Sequence, residues 1–199
     1  MRERPVATDL VWTVPNLLSA ARMVLSIVFF FLVERHDFAA ATVLFLLAAG
    51  TDWVDGWYAR RFNQVSRLGR ILDPLVDKVL VCGAFMFLAA RPGTSILPWM
   101  AVVVVVRELV VTAVRAEMER AGRDFSAGMA GKLKMVLQCA AVALELGRLG
   151  FPRLFTGVDA GGIASGLAWA AVLLTAYSGA EYVVKAWPVL TGRDSASPS

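Results

Sequence analysis

Apolar segments, each near the length of about 20 residues that a helix needs to cross a bilayer, recur from one end of this chain to the other and leave no stretch long enough for a separate soluble domain. The first runs from Pro15 to about Val33 and ends at the polar turn Glu34-Arg35-His36-Asp37. A second covers Phe38 to about Tyr58 and ends in Arg60-Arg61, and a third, about Ile71 to Ala90, stops at the breaker Arg91-Pro92-Gly93. The fourth starts near Ile96, passes through the very apolar Ala101 to Val106 and continues as a helix past Arg115 to about Arg120. After a polar, basic stretch from Ala121 to Lys134, the fifth covers about Leu133 to Leu149 and the sixth about Ile163 to Trp187, with Gly150 to Gly162 as the loop between them.

Composition agrees: 58% of the residues are hydrophobic, against roughly 45 to 50% in a soluble domain, and mean hydropathy is +0.63. The predicted fold is therefore an all-α integral membrane protein of six transmembrane helices. Residues 1–13 form a short N-terminal interfacial segment, with Leu10, Val11 and Trp12 on its apolar side. Residues 14–190 form one membrane domain and residues 191–199 a polar tail.

The net charge of +4 does not point to nucleic acid, because Lys and Arg sit in the gaps between apolar segments, where orientation signals and anionic lipids place them. The ends of the chain and the loops around 60–70 and 115–134 hold most of the cations, whereas the other side has Arg35, Arg91, Arg148 and Arg153. Both termini and the basic loops are expected on the cytoplasmic side of the cell (inner) membrane. Cys82 and Cys139 lie alone in apolar segments, without a CxxC or histidine partner, and read as small core residues. His36, the single histidine, lies in the turn on the opposite side and reads as a surface residue.

Ionisable residues inside spans are costly and mark function. Asp52 and Asp55 lie at the cytoplasmic end of the second span, at i, i+3, and Asp73 and Asp77 at the start of the third, at i, i+4, so each pair shares a helix face. Four unpaired carboxylates facing one another would repel and take up protons, and a hard divalent cation is the natural compensation. An oxygen-only ligand set favours Mg²⁺ or Mn²⁺ over zinc, and four carboxylates suit two ions clamping a phosphoryl centre. Gly56 and Ala59 lie about one turn beyond the first aspartates and leave room for a bulky ligand, Arg60 offers a charged fork to a phosphate, and Pro74 suits a helix start.

Written out, the segment is Asp52-x2-Asp55-Gly56-x2-Ala59-Arg60-x8-Gly69-x3-Asp73-x3-Asp77. It resembles the signature of the CDP-alcohol phosphatidyltransferase family at every fixed position, and the likeness covers roughly residues 14 to 146, the last span adding little. The resemblance implies transfer of a phosphatidyl group from CDP-diacylglycerol to an alcohol. It implies metal ligation by Asp52, Asp55, Asp73 and Asp77, with Asp77 also taking the proton of the attacking hydroxyl. It sets Gly56, Ala59, Arg60, Ser66 and Gly69 on the CDP-diacylglycerol, with Asn16 either near the same nucleotide or only a helix cap. It also implies membrane lipid as surroundings and, by analogy, a homodimer.

A second basic set, Arg107, Arg115, Lys132 and Lys134, lies in and after the fourth span and suits an acceptor that itself carries a phosphate; lipid headgroup contact is the plainer reading. The runs Val106-Arg107-Glu108-Leu109-x2-Thr112-x2-Arg115 and Gly131-Lys132-Leu133-Lys134 look like the branch of the family whose acceptor is glycerol 3-phosphate. Met135, Ser19 and Val76 depart from that branch's usual residues. Inositol phosphate or phosphatidylglycerol is the alternative acceptor, and an intramembrane cation transporter the alternative from another class. Arg22, inside the first span, is open to three readings: snorkelling to the interface, pairing with an aspartate, or touching the nucleotide.

Overall fold

The computed structural model describes residues 14–62, 69–120 and 129–191; the side chains at 14–16, 18–19, 51–62, 69–75, 77, 130 and 190 lie outside the description. Among the described residues every element is helical and there is no strand. Six α-helices follow in order: α1 (Val14–Glu34), α2 (Phe38–Phe62), α3 (Gly69–Ala89), α4 (Pro98–Arg120), α5 (Met129–Gly150) and α6 (Ala160–Leu190). A short 3-10 helix, Pro152–Phe155, interrupts the α5–α6 connection that the sequence suggested was loop throughout.

The helices match the six apolar segments in order, and their ends differ for local reasons. α6 begins at Ala160 rather than near Ile163, because Asp159 caps it: its carboxylate accepts the N–H of Gly162 at 2.8 Å. The same helix runs on through Pro188 to Leu190, past Trp187, where the sixth span was expected to end. Proline there forfeits one hydrogen bond in the final turn, and the N–H of Thr191 still closes onto the carbonyl of Trp187 at 3.0 Å. α2 extends to Phe62 and α3 starts at Gly69, so regular helix encloses both aspartate pairs.

Packing joins the helices into a closed ring, α1 against α2, α2 against α5, α5 against α6, α6 against α4, α4 against α3 and α3 back against α1, with a lighter α3–α5 contact across it. One core runs through all six, including Phe29 and Val33 of α1, Phe45 of α2, Phe85 and Leu88 of α3, Met100 and Val104 of α4, Val142 and Leu146 of α5, and Ala168 and Val172 of α6. Phe29 lies 5.7 Å from Phe45, and Phe30 stacks on Phe87 at 5.0 Å. Cys82 and Cys139 are partly buried against this core. α5 approaches α2 tightly at Gly150, where an added Cβ would stand 2.6 Å from the backbone nitrogen of Ala39.

The surface is reversed relative to a water-soluble bundle. α1 turns Leu17, Val24, Ile27 and Phe31 outward, α4 Val102, Val106 and Leu109, and α6 Leu173, Tyr177 and Val184. Inside lie Arg22, Ser26, Glu108, Lys134, Gln138, Glu145, Thr175 and Ser178. Exposed apolar faces on this scale call for hydrocarbon rather than water. Among the described residues one helix, Ala160–Val189, is long and apolar enough to cross a membrane by length and composition. Among the described residues α2 and α3 also carry apolar runs, Phe38–Gly50 and Lys78–Ala89.

Two polar clasps close the end of the bundle away from the aspartates. Arg91 pairs with Glu34 and lies 3.3 Å from the exposed His36, whose φ of 60° turns the chain between α1 and α2. Glu145, fully buried, accepts the N–H of Ser95 at 2.7 Å and the Nε and Nη2 of Arg148 at 2.9 and 2.6 Å, and Arg148 also donates to the carbonyl of Gly93 at 2.7 Å.

Candidate functional site

Unbroken helix carries the signature. Asp52, Asp55, Gly56, Ala59 and Arg60 lie in α2, while Gly69, Asp73 and Asp77 lie in α3, so the i, i+3 and i, i+4 spacings are helical registers of the backbone. Asn16 is the third residue of α1, within its first turn. The side chains of all these residues, and Ser66 as a whole, lie outside the described residues. Among the described residues no group of three or more His, Cys, Asp or Glu side chains forms another cation site.

The residue after Asp77 opens the described part of the site. Lys78 Nζ bonds the hydroxyl of Thr112 on α4, and that hydroxyl donates to the carbonyl of Glu108 at 2.6 Å. The Glu108 side chain is the next link: its Oε1 accepts from Arg107 Nη1 at 3.1 Å and from Lys134 Nζ of α5. On the other side of Arg107, Nη2 donates to Ser178 Oγ of α6 at 3.1 Å. Ser178 spends its own proton on the carbonyl of Thr175 at 3.1 Å, and Thr175 Oγ1 accepts from Gln138 Nε2 of α5 at 2.9 Å. A continuous polar chain thus crosses α3, α4, α5 and α6.

Of the four cations expected to meet an acceptor's phosphate, Arg107 and Lys134 come together on one carboxylate oxygen. Arg115, two turns along α4, is half-buried with its guanidinium 6.0 Å from the ring centre of Tyr182. Lys132 is exposed and makes none of these bonds, because residues two apart on a helix point to different faces. The Nε–H groups of Arg107 and Arg115 are buried with no acceptor among the described residues, so donors exceed acceptors here. Arg22 is buried, which removes the snorkelling reading of its place in α1.

Sequence reasoning missed the share of α6. Thr175, Ser178 and Tyr182 line its inner face, and Gly179 makes room for Arg107: an added Cβ would stand 2.8 Å from Arg107 Cγ. The available signal was a pair of hydroxyl residues at i, i+3 within an otherwise apolar span, together with Gln138 opposite.

A helical body that is apolar outside, with acid pairs in the sequence of two helices and a buried cationic cluster on two others, has the make-up of a membrane enzyme that handles phosphate esters. Comparison with known proteins defines it further. The family model for CDP-alcohol phosphatidyltransferase matches residues 12–177, and the chain belongs to that family of enzymes. It is 40% identical over 153 residues to the CDP-diacylglycerol--glycerol-3-phosphate 3-phosphatidyltransferase of Bacillus subtilis (strain 168), covering 76% of this chain and 75% of that one. It is 35% identical over 178 residues to the protein of the same description from Escherichia coli (strain K12), covering 86% and 93%. Family membership removes the cation-transport reading.

Proposed function

We propose that the protein transfers a phosphatidyl group from CDP-diacylglycerol to glycerol 3-phosphate, giving phosphatidylglycerophosphate and CMP. The observation that carries the choice of acceptor is the convergence of Arg107 and Lys134 on Glu108, with Lys78 joining the same chain of bonds one residue from Asp77. Two buried cations from different helices suit a phosphate dianion better than a neutral alcohol. The names of the Bacillus subtilis and Escherichia coli relatives support the same acceptor.

In this reading an acceptor hydroxyl oxygen attacks the phosphorus that carries the diacylglycerol. The new P–O bond forms as the pyrophosphate P–O bond breaks, CMP leaves with that bond's electron pair, and the hydroxyl proton passes to the carboxylate of Asp77. Asp52, Asp55, Asp73 and Asp77 hold divalent cation, Mg²⁺ or Mn²⁺ in two sites, a requirement general in the family. Bound there, the metal supplies charge neutralisation on the departing phosphate. Arg60, Gly56, Ala59, Ser66, Gly69 and Asn16 serve the CDP-diacylglycerol. Arg107 and Lys134, with the half-buried Arg115 and the exposed Lys132, serve the acceptor phosphate.

The six helices span the inner membrane with both termini and the site toward the cytoplasm. Outward apolar stripes on α1, α4 and α6 support spanning, and the excess of Lys and Arg in the loops at 60–70 and 115–134 supports the orientation.

The test is CMP release from CDP-diacylglycerol by the purified protein with Mg²⁺, offered glycerol 3-phosphate, inositol phosphate, phosphatidylglycerol or serine, with and without chelator. Release with glycerol 3-phosphate alone, abolished by chelation, is expected. Release with a different acceptor moves the protein to another branch of its family.

A further inference from the structure

Glu108 has no part in the reaction just described, yet it is the hub of the acceptor cluster. A carboxylate that served only to neutralise charge would need one cation. Here two cations, from α4 and α5, meet on a single oxygen, Oε1. The far side of Arg107 is also held directionally: Ser178 has committed its proton to the Thr175 carbonyl, so its oxygen can only accept from Arg107 Nη2. Thr175 is held in turn, donating to the carbonyl of Ala171 at 2.5 Å and accepting from Gln138. The side chains involved are buried, Arg107 to 9% and Lys134 to 8% exposure, so their rotamers are set by packing and bonds rather than by water.

We infer that Glu108, with Ser178 as its partner across Arg107, is a positioning residue that holds Arg107 and Lys134 as a preset pair for the acceptor's phosphate. The inference rests on the phosphate-acceptor reading above. Without the carboxylate the two buried cations repel one another and separate, and the phosphate must gather them at its own expense. Binding of the acceptor then suffers while the phosphoryl chemistry around the aspartates, on α2 and α3, does not.

The experiment compares wild type, Glu108→Gln and Ser178→Ala for KM of each substrate, kcat and thermal unfolding in detergent, and measures glycerol 3-phosphate binding by calorimetry. Glu108→Gln should raise KM for glycerol 3-phosphate about tenfold or more, the size of one lost charge-assisted hydrogen bond, and weaken calorimetric binding in step. KM for CDP-diacylglycerol and kcat at saturating acceptor should change far less. Ser178→Ala should raise the acceptor KM about threefold, in line with loss of a weaker bond.

An unchanged or lowered acceptor KM in Glu108→Gln overturns the inference, showing a carboxylate that competes with phosphate. Parallel changes in both KM values and kcat with lowered unfolding temperature overturn it too, leaving Glu108 a structural counter-ion. If Glu108→Gln does not fold, Ser178→Ala carries the test, and an unchanged acceptor KM there overturns the inference. A wild type that ignores glycerol 3-phosphate instead removes the reading beneath it.

Discussion

Glu145→Ala should cost this protein a large part of its stability and none of its chemistry. The side chain is fully buried and accepts three hydrogen bonds, one from the N–H of Ser95 and two from Arg148. Truncation leaves the Ser95 N–H without its acceptor and a guanidinium only 18% exposed without its counter-ion, although Arg148 keeps its bond to the Gly93 carbonyl. Breaking a buried pair at one partner costs about 3–5 kcal/mol. At about 2–4 °C per kcal/mol for a chain of this size, the unfolding temperature should fall by roughly 10 °C. Glu145 lies eleven residues beyond Lys134 on α5, roughly 16 Å at the helical rise, so CMP release measured well below the new transition should match wild type. The assay is thermal unfolding in one detergent for Glu145→Ala, Arg148→Leu and the double variant Glu145→Leu with Arg148→Leu, giving a coupling energy. The double variant should recover part of the loss, because an apolar pair needs no counter-ion. A shift under about 2 °C in Glu145→Ala, well below the expected range, with no coupling to Arg148, would refute the claim that this carboxylate fastens the α3–α4 loop to α5.

Two further predictions concern single positions. Asp77→Asn should lower CMP release by about a hundredfold or more, the range for losing a general base, while calorimetry still detects Mg²⁺; activity within a few-fold of wild type would take the base role from Asp77. Gly150→Ala and Gly166→Ala should part company in thermal unfolding. The first drives a Cβ to within 2.6 Å of the Ala39 backbone, which cannot swing aside, and should cost about 2 kcal/mol. The second meets nothing within 4 Å and should be neutral or slightly stabilising.

The helical register of the aspartate signature was legible because spacing is a local property: i, i+3 and i, i+4 follow wherever the chain is helical, and α2 and α3 are helical through those positions. Arg107 and Lys134 were legible as cations in costly places, but their meeting on Glu108 was not. They stand 27 residues apart by number, and only the α4, α5 and α6 contacts bring them together. Lys132 looked equivalent to Lys134, and the helical face separates them: one is exposed and the other buried.

By itself, then, the sequence determined the number and order of the helices and the helical register of the acid pairs, since each depends on residue type and short-range periodicity. Tertiary structure alone decided that helices distant in the chain close into a ring, that α6 supplies Ser178 and the cleft at Gly179 that seat Arg107, and that Glu108 rather than solvent faces the two cations. The physical reason is range. Propensity and charge act within a turn or two of helix, whereas buried polar partners are chosen by which helix faces pack together, and no local pattern specifies that choice.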